Sequence, residues 1–380
     1  MRYLPHYRLG VFNRLCGIED IDIYVHTSAE FPGGFSLVKP SKANFKLVDR
    51  RVCRLRIPFT KKSVDFIPSA IRNVLMGGYD VFVFSNRMSD LGLWINLVMG
   101  RLLGRRICLW GHGITRRDGK WGAKLRKVMM RMTNANILYS ESGRNKALEM
   151  GLAPEKLFVA YNALDTQRSQ SIRKKISEDD IKRFRLENDL QDKKIVFFSG
   201  RLVSDKKPDI LVRAMGEVAR QNLEVLVLIV GDGPMRAELE SLVKELELEN
   251  FVRFLGAQYD EEIMAKYLFC ASVAAMPAHA GLAIQHAFDF GVPIIVGDDM
   301  KEHPPEIELV ENGETGIFCK DGDANEFAKA ILCLLTNEDE RQRMSANCRK
   351  LIERKYNVEN MAKGILDAIT HAAKINEEMT

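Results

Sequence analysis

The stretch KIVFFSGRLVSDKKPDILV (residues 194–212) carries the pattern that decides the fold. A buried apolar strand ends at a glycine turn, a basic loop follows, and a helix begins near Pro208. Apolar runs of this kind, each followed by a helical pattern, recur along the chain. A strand–loop–helix repeat predicts a parallel sheet with helices covering both of its faces.

The alternation runs twice through the chain, so we predict an α/β protein with two Rossmann-like, doubly wound domains. We expect one domain over 1–165, a second over 166–355, a linker near 165–190, and a C-terminal helix within 356–380 that packs back on either domain, for instance the N-terminal one. The predicted strands are 21–25, 80–85, 106–111, 136–140, 157–162, 194–200, 224–231, 251–256, 272–277, 293–298 and 316–320. Ligands bind at the carboxyl ends of such strands, so we expect a site in a cleft between two facing domains.

Composition excludes several classes of protein. The chain has 380 residues, 46% of them hydrophobic, which is enough for two folded domains. Its seven scattered cysteines form no CxxC pair, which argues against a disulfide framework or a zinc site and favours a reducing compartment. No secretory signal is visible, and no apolar run reaches the roughly 18 residues of a spanning helix. We therefore expect a cytoplasmic protein.

Charge is divided unevenly along the chain. Residues 1–150 contain 26 Lys and Arg against 11 Asp and Glu, a balance of +15, whereas the remainder has 30 against 40, a balance of −10. The basic half is expected to face an anionic membrane surface, a phosphorylated ligand or nucleic acid. Nucleic acid is the least favoured of these, because no aromatic residues interleave with the basic ones as a stacking platform. Drift in surface charge is the alternative.

Basic residues flank the loop in the opening stretch. Gly200 and Arg201 directly follow the strand, and Lys206 and Lys207 precede the helix. A glycine lets the backbone approach a ligand closely, while Arg201 and one lysine could hold two phosphate groups. A solvated basic turn is the alternative interpretation.

Five motifs occur in a fixed order along the chain. They are SGRLVSDKK (199–207), VGDGP (230–234), VRFLG (252–256), a loop–helix–Gly-Val-Pro–strand segment within 279–299, and PEIELVENGETG (305–316), and YNALD (161–165) precedes them. This series resembles the C-terminal domain of family 4 of the retaining glycosyltransferases, which have the GT-B fold. The resemblance covers roughly residues 136–355, and the N-terminal part is similar to the family only loosely.

The resemblance implies that the second domain binds a nucleotide diphosphate sugar, UDP- or GDP-linked, and that the first binds the acceptor. Arg201 and Lys206 would then neutralise the diphosphate leaving group, and Gly200, Gly231 and Gly233 would line the donor site. No metal ion is expected, because these cations take its place. No cofactor is expected either, since the nucleotide sugar is a substrate.

The stretch HAGLAIQHAFDFGVPIIVGDD (279–299) departs from the family pattern. Many members carry two glutamates separated by seven residues here, and this chain has Ala278 and His286 in their places. Gly281 remains, so its N–H and that of Leu282 could meet a donor phosphate at a helix N-terminus. His286 could hydrogen-bond a ribose hydroxyl, or it is a helix-face residue without a ligand.

His279 and Glu306 complete the expected donor side. The resemblance places His279 where it could read the donor sugar in place of the missing glutamate. Glu306 matches a glutamate common in the family, and its neighbour His303 belongs either to the site or to a simple surface loop. The histidines have neither HExxH spacing nor a third ligand, so we do not expect a metal site.

The N-terminal domain offers three further candidates. His112, in LWGHG (109–113), lies between two glycines at the end of a predicted strand. The resemblance implies that it orients the donor sugar or supports its charge, and a structural histidine is the alternative. His6 and Arg8, in what resembles the first loop of the family, are the expected acceptor-binding residues; the apolar strand that usually precedes this loop is either absent or truncated.

The segment ITRRDGKWGAKLRKVMMRM (114–132) has basic and apolar residues that partly segregate at helical spacing. Such a helix could lie on an anionic bilayer. Alternatively it packs on the sheet with a basic outer face. The basic residues include Arg116 and Arg117, and the first interpretation would place the protein on the inner face of the membrane.

Together these features predict a retaining, metal-independent glycosyltransferase that acts on a glycan or lipid-linked acceptor in bacterial surface polysaccharide synthesis. A non-catalytic GT-B partner or scaffold of another glycosyltransferase is one alternative, supported by the loss of both glutamates. A sugar-nucleotide epimerase is another.

Overall fold

The computed structural model describes two compact units. Unit 1 comprises residues 1–165 and 357–380, and unit 2 comprises residues 166–356. The described residues are 4–19, 21–27, 43–49, 53–56, 63–115, 118–221 and 224–374.

The described part of unit 1 contains a four-stranded parallel sheet and two separate strand pairs. Its strands are β1 (Tyr24–Thr27), β2 (Lys46–Asp49), β3 (Cys53–Arg56), β4 (Ser63–Phe66), β5 (Val81–Ser85), β6 (Arg106–Gly111), β7 (Ala135–Leu138) and β8 (Leu157–Val159). The sheet has the order β5–β6–β7–β8, while β1 pairs with β2 and β3 pairs with β4. The strands β2, β3 and β4 were not predicted, because each is four residues long and Lys, Arg or Asp interrupts its apolar residues.

Helices pack on both faces of this sheet. They are α1 (Leu9–Cys16), α2 (Pro68–Met76), α3 (Leu91–Leu102), α4 (Lys120–Arg131) and α5 (Glu141–Glu149). Side chains of β6 alternate between the two faces, as a strand requires. Ile107 and Leu109 join the core under α2, α3, α4 and α5, whereas Cys108 and Trp110 join the core under α1.

Unit 2 contains a six-stranded parallel sheet with helices on both faces. Its strands are β9 (Lys194–Ser199), β10 (Val225–Val230), β11 (Val252–Gly256), β12 (Ala271–Met276), β13 (Ile294–Gly297) and β14 (Gly316–Cys319). Its helices are α6 (Thr166–Lys175), α7 (Glu178–Glu187), α8 (Pro208–Ala219), α9 (Arg236–Glu245), α10 (Glu261–Cys270), α11 (Leu282–Asp289), α12 (Ala324–Thr336) and α13 (Glu338–Arg354). The predicted linker near 165–190 is therefore mostly two helices of unit 2, the second begun by a capping box at Ser177.

The strand order in unit 2 is β11–β10–β9–β12–β13–β14. The chain moves outward from β9 to β10 and β11, then returns to the other side of β9 with β12. The order therefore reverses between β9 and β12, and this reversal is where ligands bind in open parallel sheets.

The last helix returns to unit 1. Helix α14 (Val358–Lys374) packs against β7, β8 and α1, and its apolar face joins their core. Gly364 makes the approach to β8 possible, because a Cβ there would lie 2.3 Å from the Val159 carbonyl oxygen and 2.9 Å from the Ala160 Cα.

We expect Gly364→Ala to destabilise the protein by about 1–3 kcal/mol, since α14 must move away from β8 to admit the methyl group. Urea unfolding of the purified protein measures this change. Gly216→Ala is the matched control, because Gly216 lies in α8 with no atom within 4 Å of its Cβ position. That substitution should stabilise its helix by roughly 0.5–1 kcal/mol. Equal effects at the two positions would contradict the close packing of α14.

Candidate functional site

Two loops meet where the strand order of unit 2 reverses. One follows β9 and contains Gly200, Arg201 and Lys206; the other follows β12 and contains His279 and Gly281. Both loops leave the carboxyl edge of the sheet, so they lie side by side. The site candidates predicted from separate motifs are thus brought together by adjacent strands.

Glycines allow the backbones around this edge to pack closely. A Cβ on Gly231 would lie 1.9 Å from the Gly200 carbonyl oxygen, and one on Gly233 would lie 2.4 Å from the Leu202 carbonyl oxygen. Gly231 also has a φ of +145°. The VGDGP turn after β10 is therefore pressed against the loop after β9, and Leu202 N–H donates to the Asp232 carbonyl at 3.0 Å. In this structure Gly231 and Gly233 shape the loop that carries the cations.

Lys206 reaches from the first loop to the second. Its Nζ donates to the His279 carbonyl oxygen at 2.5 Å, and the side chain runs over Gly200, whose absent Cβ would lie 3.0 Å from the Lys206 Cε. Burial lowers the pKa of the Lys206 ammonium. No carboxylate pairs with Lys206 among the residues that the structure describes. Its charge is thus available to an anion.

The neighbouring lysine is neutralised. Lys207 Nζ lies 2.6 Å from the Asp321 carboxylate and 3.1 Å from that of Glu302. Partial burial acts to lower the pKa of Lys207, but these two carboxylates raise it above its ordinary value. The structure thereby distinguishes the two lysines, which the sequence motif alone could not do.

The start of α11 offers backbone donors beside Lys206. His279 has a φ of +50°, an uncommon conformation for a residue with a side chain, and Gly281 has a φ of +50° with a ψ of −143°. The first N–H groups of a helix have no intrahelical acceptor. Those of Gly281 and Leu282 donate to no atom in the described part of the chain. Lone pairs of a bound anion would satisfy them.

His303 hydrogen-bonds to the backbone of the second loop from its buried side. Its Nε2 donates to the Gly297 carbonyl at 3.0 Å, and its Nδ1 accepts from the Ala280 N–H at 3.4 Å. Only a neutral ring with the proton on Nε2 fits both contacts. Burial is the main reason that the pKa of His303 is lowered to about 4. The surface-loop alternative for His303 is wrong, because the ring is 8% exposed.

The other donor-side candidates differ in exposure. Arg201 is exposed and makes no hydrogen bond or ion pair with a described residue, and His286 lies on the exposed face of α11. Glu306 is buried in the short 3-10 turn Pro305–Leu309, which packs against α11. Pro304, just before that turn, lies 3.5 Å from the Cβ position of Gly281.

In unit 1, His112 follows β6 and is exposed. Its ring meets the edge of Tyr139, with centroids 5.0 Å apart at 74°. Arg8, an expected acceptor-binding residue, is 5% exposed and lies over the rings of Tyr7, Trp110 and Tyr139 at 5.1–5.3 Å. His6 begins the 3-10 turn His6–Arg8, but its side chain is outside the description.

Sequence reasoning did not single out Tyr139. This residue follows β7, and its ring contacts both Arg8 and His112. The available signal was its position, because aromatic residues at the carboxyl end of a parallel strand lie near the ligand edge. Arg116 and Arg117 fall outside the described residues.

Two searches of the described residues complete the survey. None of the helices they form is long and apolar enough to cross a membrane. Among the same residues, no group of three or more His, Cys, Asp or Glu side chains is arranged to hold a metal ion.

Comparison with known proteins connects this geometry to a family. Residues 180–351, which contain both loops of the site, match the family described as Glycosyl transferases group 1. The matched segment is slightly less than half of the chain. The resemblance to family 4 glycosyltransferases is thereby confirmed for this segment, which carries the motifs quoted above except YNALD.

Curated relatives match over the same half. The α-D-kanosaminyltransferase of Streptomyces kanamyceticus is 27% identical over 172 residues, which are 44% of this chain and 43% of that protein. The D-inositol 3-phosphate glycosyltransferase of Nocardia farcinica is 32% identical over 161 residues, 40% of this chain and 34% of that protein. The matches therefore span less than half the length of these relatives.

Solved structures match over nearly the whole chain. Anabaena HepE in complex with UDP and glucose superposes with a TM-score of 0.72 at 18% identity, covering 96% of each chain. A glycosyltransferase from Rickettsia africae has a TM-score of 0.72 at 14% identity, covering 98% of this chain and 97% of that one. The prediction of a GT-B fold with two Rossmann-like units is confirmed.

The two hydrogen bonds of the neutral His303 ring predict a specific pH dependence of folding stability. An unfolded histidine takes up a proton near pH 6.5, but the folded ring does so only near pH 4. The contribution of His303 to stability is therefore complete above about pH 6.5, falls as the pH drops to about 4, and changes no further below. The loss amounts to about 3 kcal/mol at most.

Urea unfolding at pH values from 4 to 8 measures this slope. His303→Gln keeps a donor and an acceptor but cannot titrate, so its slope between pH 6.5 and 4 should be reduced. His286→Gln, on the exposed face of α11, is the control and should keep the slope of the natural protein. An unchanged slope in His303→Gln would show that another group causes it.

Proposed function

We propose that the protein is a retaining glycosyltransferase that moves a sugar from a UDP- or GDP-sugar to a hydroxyl group of a glycan or lipid-linked acceptor. The observation that carries this proposal is the ammonium group of Lys206. It has no carboxylate partner among the described residues, and it lies at the strand reversal of unit 2 next to the open N–H groups of α11. A diphosphate supplies the charge and the acceptor oxygens that this arrangement lacks.

The same groups would promote departure of the nucleotide. Negative charge develops on the diphosphate as its bond to the sugar breaks, and fixed cations and N–H donors stabilise that charge without rearrangement. We assign this role to Lys206 and Arg201, with Gly281 and Leu282 as backbone donors. Because the cations supply positive charge at the leaving group, the proposed reaction is independent of a metal ion, and it uses no cofactor.

The remaining candidates orient the donor. His286 is exposed on α11 and takes the place of the glutamate that contacts the ribose in many family members. We propose that it hydrogen-bonds the ribose, that His279 contacts the sugar, and that Glu306 supports this loop from its buried position. His112 in unit 1 is proposed to orient the sugar. With retention, the leaving diphosphate itself takes the acceptor proton.

The names of similar proteins support this reaction class. HepE has been crystallised with UDP-glucose, and the relatives include an N-acetyl-α-D-glucosaminyl L-malate synthase of Bacillus anthracis and a GDP-mannose-dependent mannosyltransferase of Mycobacterium tuberculosis. By extension we propose a nucleotide-sugar donor for this chain and a role in surface polysaccharide synthesis.

Lys206→Ala should weaken binding of the correct nucleotide diphosphate about ten- to hundredfold, because a charge-assisted hydrogen bond to phosphate is lost. Isothermal titration with UDP, GDP and ADP, followed by their sugars, measures the affinity. Lys207→Ala is the matched control: its ammonium is already paired with Asp321 and Glu302, so it should change the affinity little. Tight binding that survives Lys206→Ala would contradict the site.

One observation favours a second candidate, a non-catalytic partner of another glycosyltransferase. Ala278 and His286 replace both glutamates of the family pattern, although the frame around them is intact. An assay for transfer or slow hydrolysis of the bound donor separates the two functions. The assay measures the release of free nucleotide. Binding without any turnover, with every acceptor class tried, would favour the partner.

We also propose that unit 1 contacts an anionic membrane surface through α4. Trp121, Leu125 and Val128 form an apolar stripe on this helix that is 82%, 48% and 50% exposed. Lys120, Lys124, Lys127 and Arg131 lie along one side of the stripe at helical spacing. An exposed apolar stripe beside a basic one suits the boundary between lipid headgroups and acyl chains.

Neighbouring helices support the same assignment. Helices α2 and α3 pack on the same core as α4, and neither they nor α4 contain an acidic residue. They also expose Met76 and Leu102, each at 75%, together with Leu75, Leu91 and Val98. Charge complementarity therefore favours an anionic bilayer, and the protein would work on the inner face of the membrane.

Lys124→Gln should lower partitioning onto vesicles of phosphatidylcholine with phosphatidylserine about fivefold, since each basic residue near such a surface contributes about 1 kcal/mol. Sedimentation with the vesicles measures the bound fraction. Lys182→Gln, on α7 of unit 2, is the control, because that side chain is also well exposed. Equal loss in both variants, or equal binding to pure phosphatidylcholine, would argue against an α4 surface.

A further inference from the structure

Arg8 is a buried cation that no carboxylate of the described residues neutralises. The residue is 5% exposed, yet no carboxylate pairs with it among the residues that the structure describes. Its Nη1 donates to the Met361 sulfur at 3.3 Å, a weak acceptor, and this is its one side-chain hydrogen bond within the described part of the chain. A guanidinium has five N–H donors, so most of its hydrogen-bonding capacity is unused.

Aromatic rings account for the burial of Arg8 but not for its donors. Its guanidinium carbon lies 5.3 Å from the ring centroid of Tyr7 and 5.1 Å from those of Trp110 and Tyr139. Such rings attract a cation through their negative faces and partly offset the loss of water around it. They do not accept the N–H groups as the oxygens of an anion do.

Trp110 provides a second, independent observation. Its side chain is 5% exposed, and its indole Nε1–H has no hydrogen-bond partner in the described structure. A buried indole N–H normally finds an acceptor. Two side chains in contact, one a cation and the other a neutral donor, therefore both lack an oxygen acceptor among the described residues.

We propose that Arg8 and Trp110 bind an anionic group of the acceptor, a carboxylate or a phosphate. This inference rests on the proposed glycosyltransfer and specifies its acceptor class. Arginine suits either group, because its planar fork presents parallel N–H donors to two oxygens. A neutral hydroxyl would leave the guanidinium charge uncompensated in a buried place.

The position of the pair fits an acceptor subsite. Trp110 is the penultimate residue of β6, and His112 follows the end of that strand. The ring of Tyr139 contacts both Arg8 and His112, so the proposed anion subsite lies one ring away from the histidine to which we assign the donor sugar. The anionic group would thus anchor the acceptor at the ligand edge of the unit 1 sheet.

The test uses the whole protein, in which the three tryptophans, at 94, 110 and 121, are replaced by 5-fluorotryptophan. Titration with inorganic phosphate, and separately with sodium acetate, is followed by fluorine NMR at constant ionic strength set with chloride. We expect a saturable shift of the Trp110 resonance, while that of Trp121, which is exposed on α4, stays in place. The anion with the tighter response identifies the acceptor group as phosphate or carboxylate.

Variants of Arg8 decide the assignment. Arg8→Lys keeps the charge but loses the fork, so binding should weaken about fivefold or more, and Arg8→Gln should abolish the shift. Thermal unfolding first establishes that each variant is folded. No saturable Trp110 shift in the natural protein, or the same shift in Arg8→Gln, would overturn the proposal and leave Arg8 as a packing residue.

The same experiment separates this proposal from the glycosyltransfer itself. Lys206→Ala should weaken nucleotide binding in unit 2 but keep the Trp110 response. A protein that binds no nucleotide diphosphate yet shows the Trp110 shift would refute the glycosyltransfer and retain the anion site. A protein that transfers sugar without any Trp110 shift would support the glycosyltransfer and refute the anion site.

Discussion

The hydrogen bond from Lys206 to the His279 carbonyl is the contact on which the candidate donor site depends. It joins the loops after β9 and β12, the two strands between which the order of the sheet reverses. His279, whose carbonyl accepts this hydrogen bond, has a left-handed backbone conformation. Backbone strain of this kind persists only where the surrounding structure holds it, and it is common at functional sites.

Two supports hold the loop after β12 in this conformation. Lys206 contacts it from one side, through a side chain that runs so close over Gly200 that a Cβ there would lie 3.0 Å from the Lys206 Cε. His303 contacts it from inside as a neutral ring between Gly297 and Ala280. A cation and open N–H groups fixed in advance stabilise a leaving anion more effectively than groups that must reorganise during the reaction. The site thus holds its cation and N–H groups in fixed positions. Ala278 and His286, which stand where many family members have glutamates, take no part in holding them.

The sequence was most informative where local pattern and global fold agree. The strands of unit 2 are predominantly apolar, and their loop residues follow directly, so the residues around Gly200 and Gly281 could be placed at one sheet edge before the structure was known. Short strands such as β2, with two charged residues in four, have no such signal. The difference between Lys206 and Lys207 was also beyond the sequence, because the partners of Lys207 are supplied by Glu302 and Asp321, about 100 residues away. Likewise, the burial of Arg8 depends on aromatic residues from β6 and the end of β7.

The surplus of basic residues within 1–150 therefore includes two different arrangements, exposed lysines and a buried arginine, which a count of charges cannot distinguish. On α4 the lysines lie on the surface beside an exposed apolar stripe, where water and salt weaken each charge and only their number gives appreciable attraction. At Arg8 a single charge is enclosed by aromatic rings, where screening is weak and one missing counter-ion matters more than several surface lysines. The first arrangement suits a broad anionic surface, and the second suits one small anion. Under the two proposals made above, both arrangements would bring a charged, membrane-associated acceptor to the same unit of the protein.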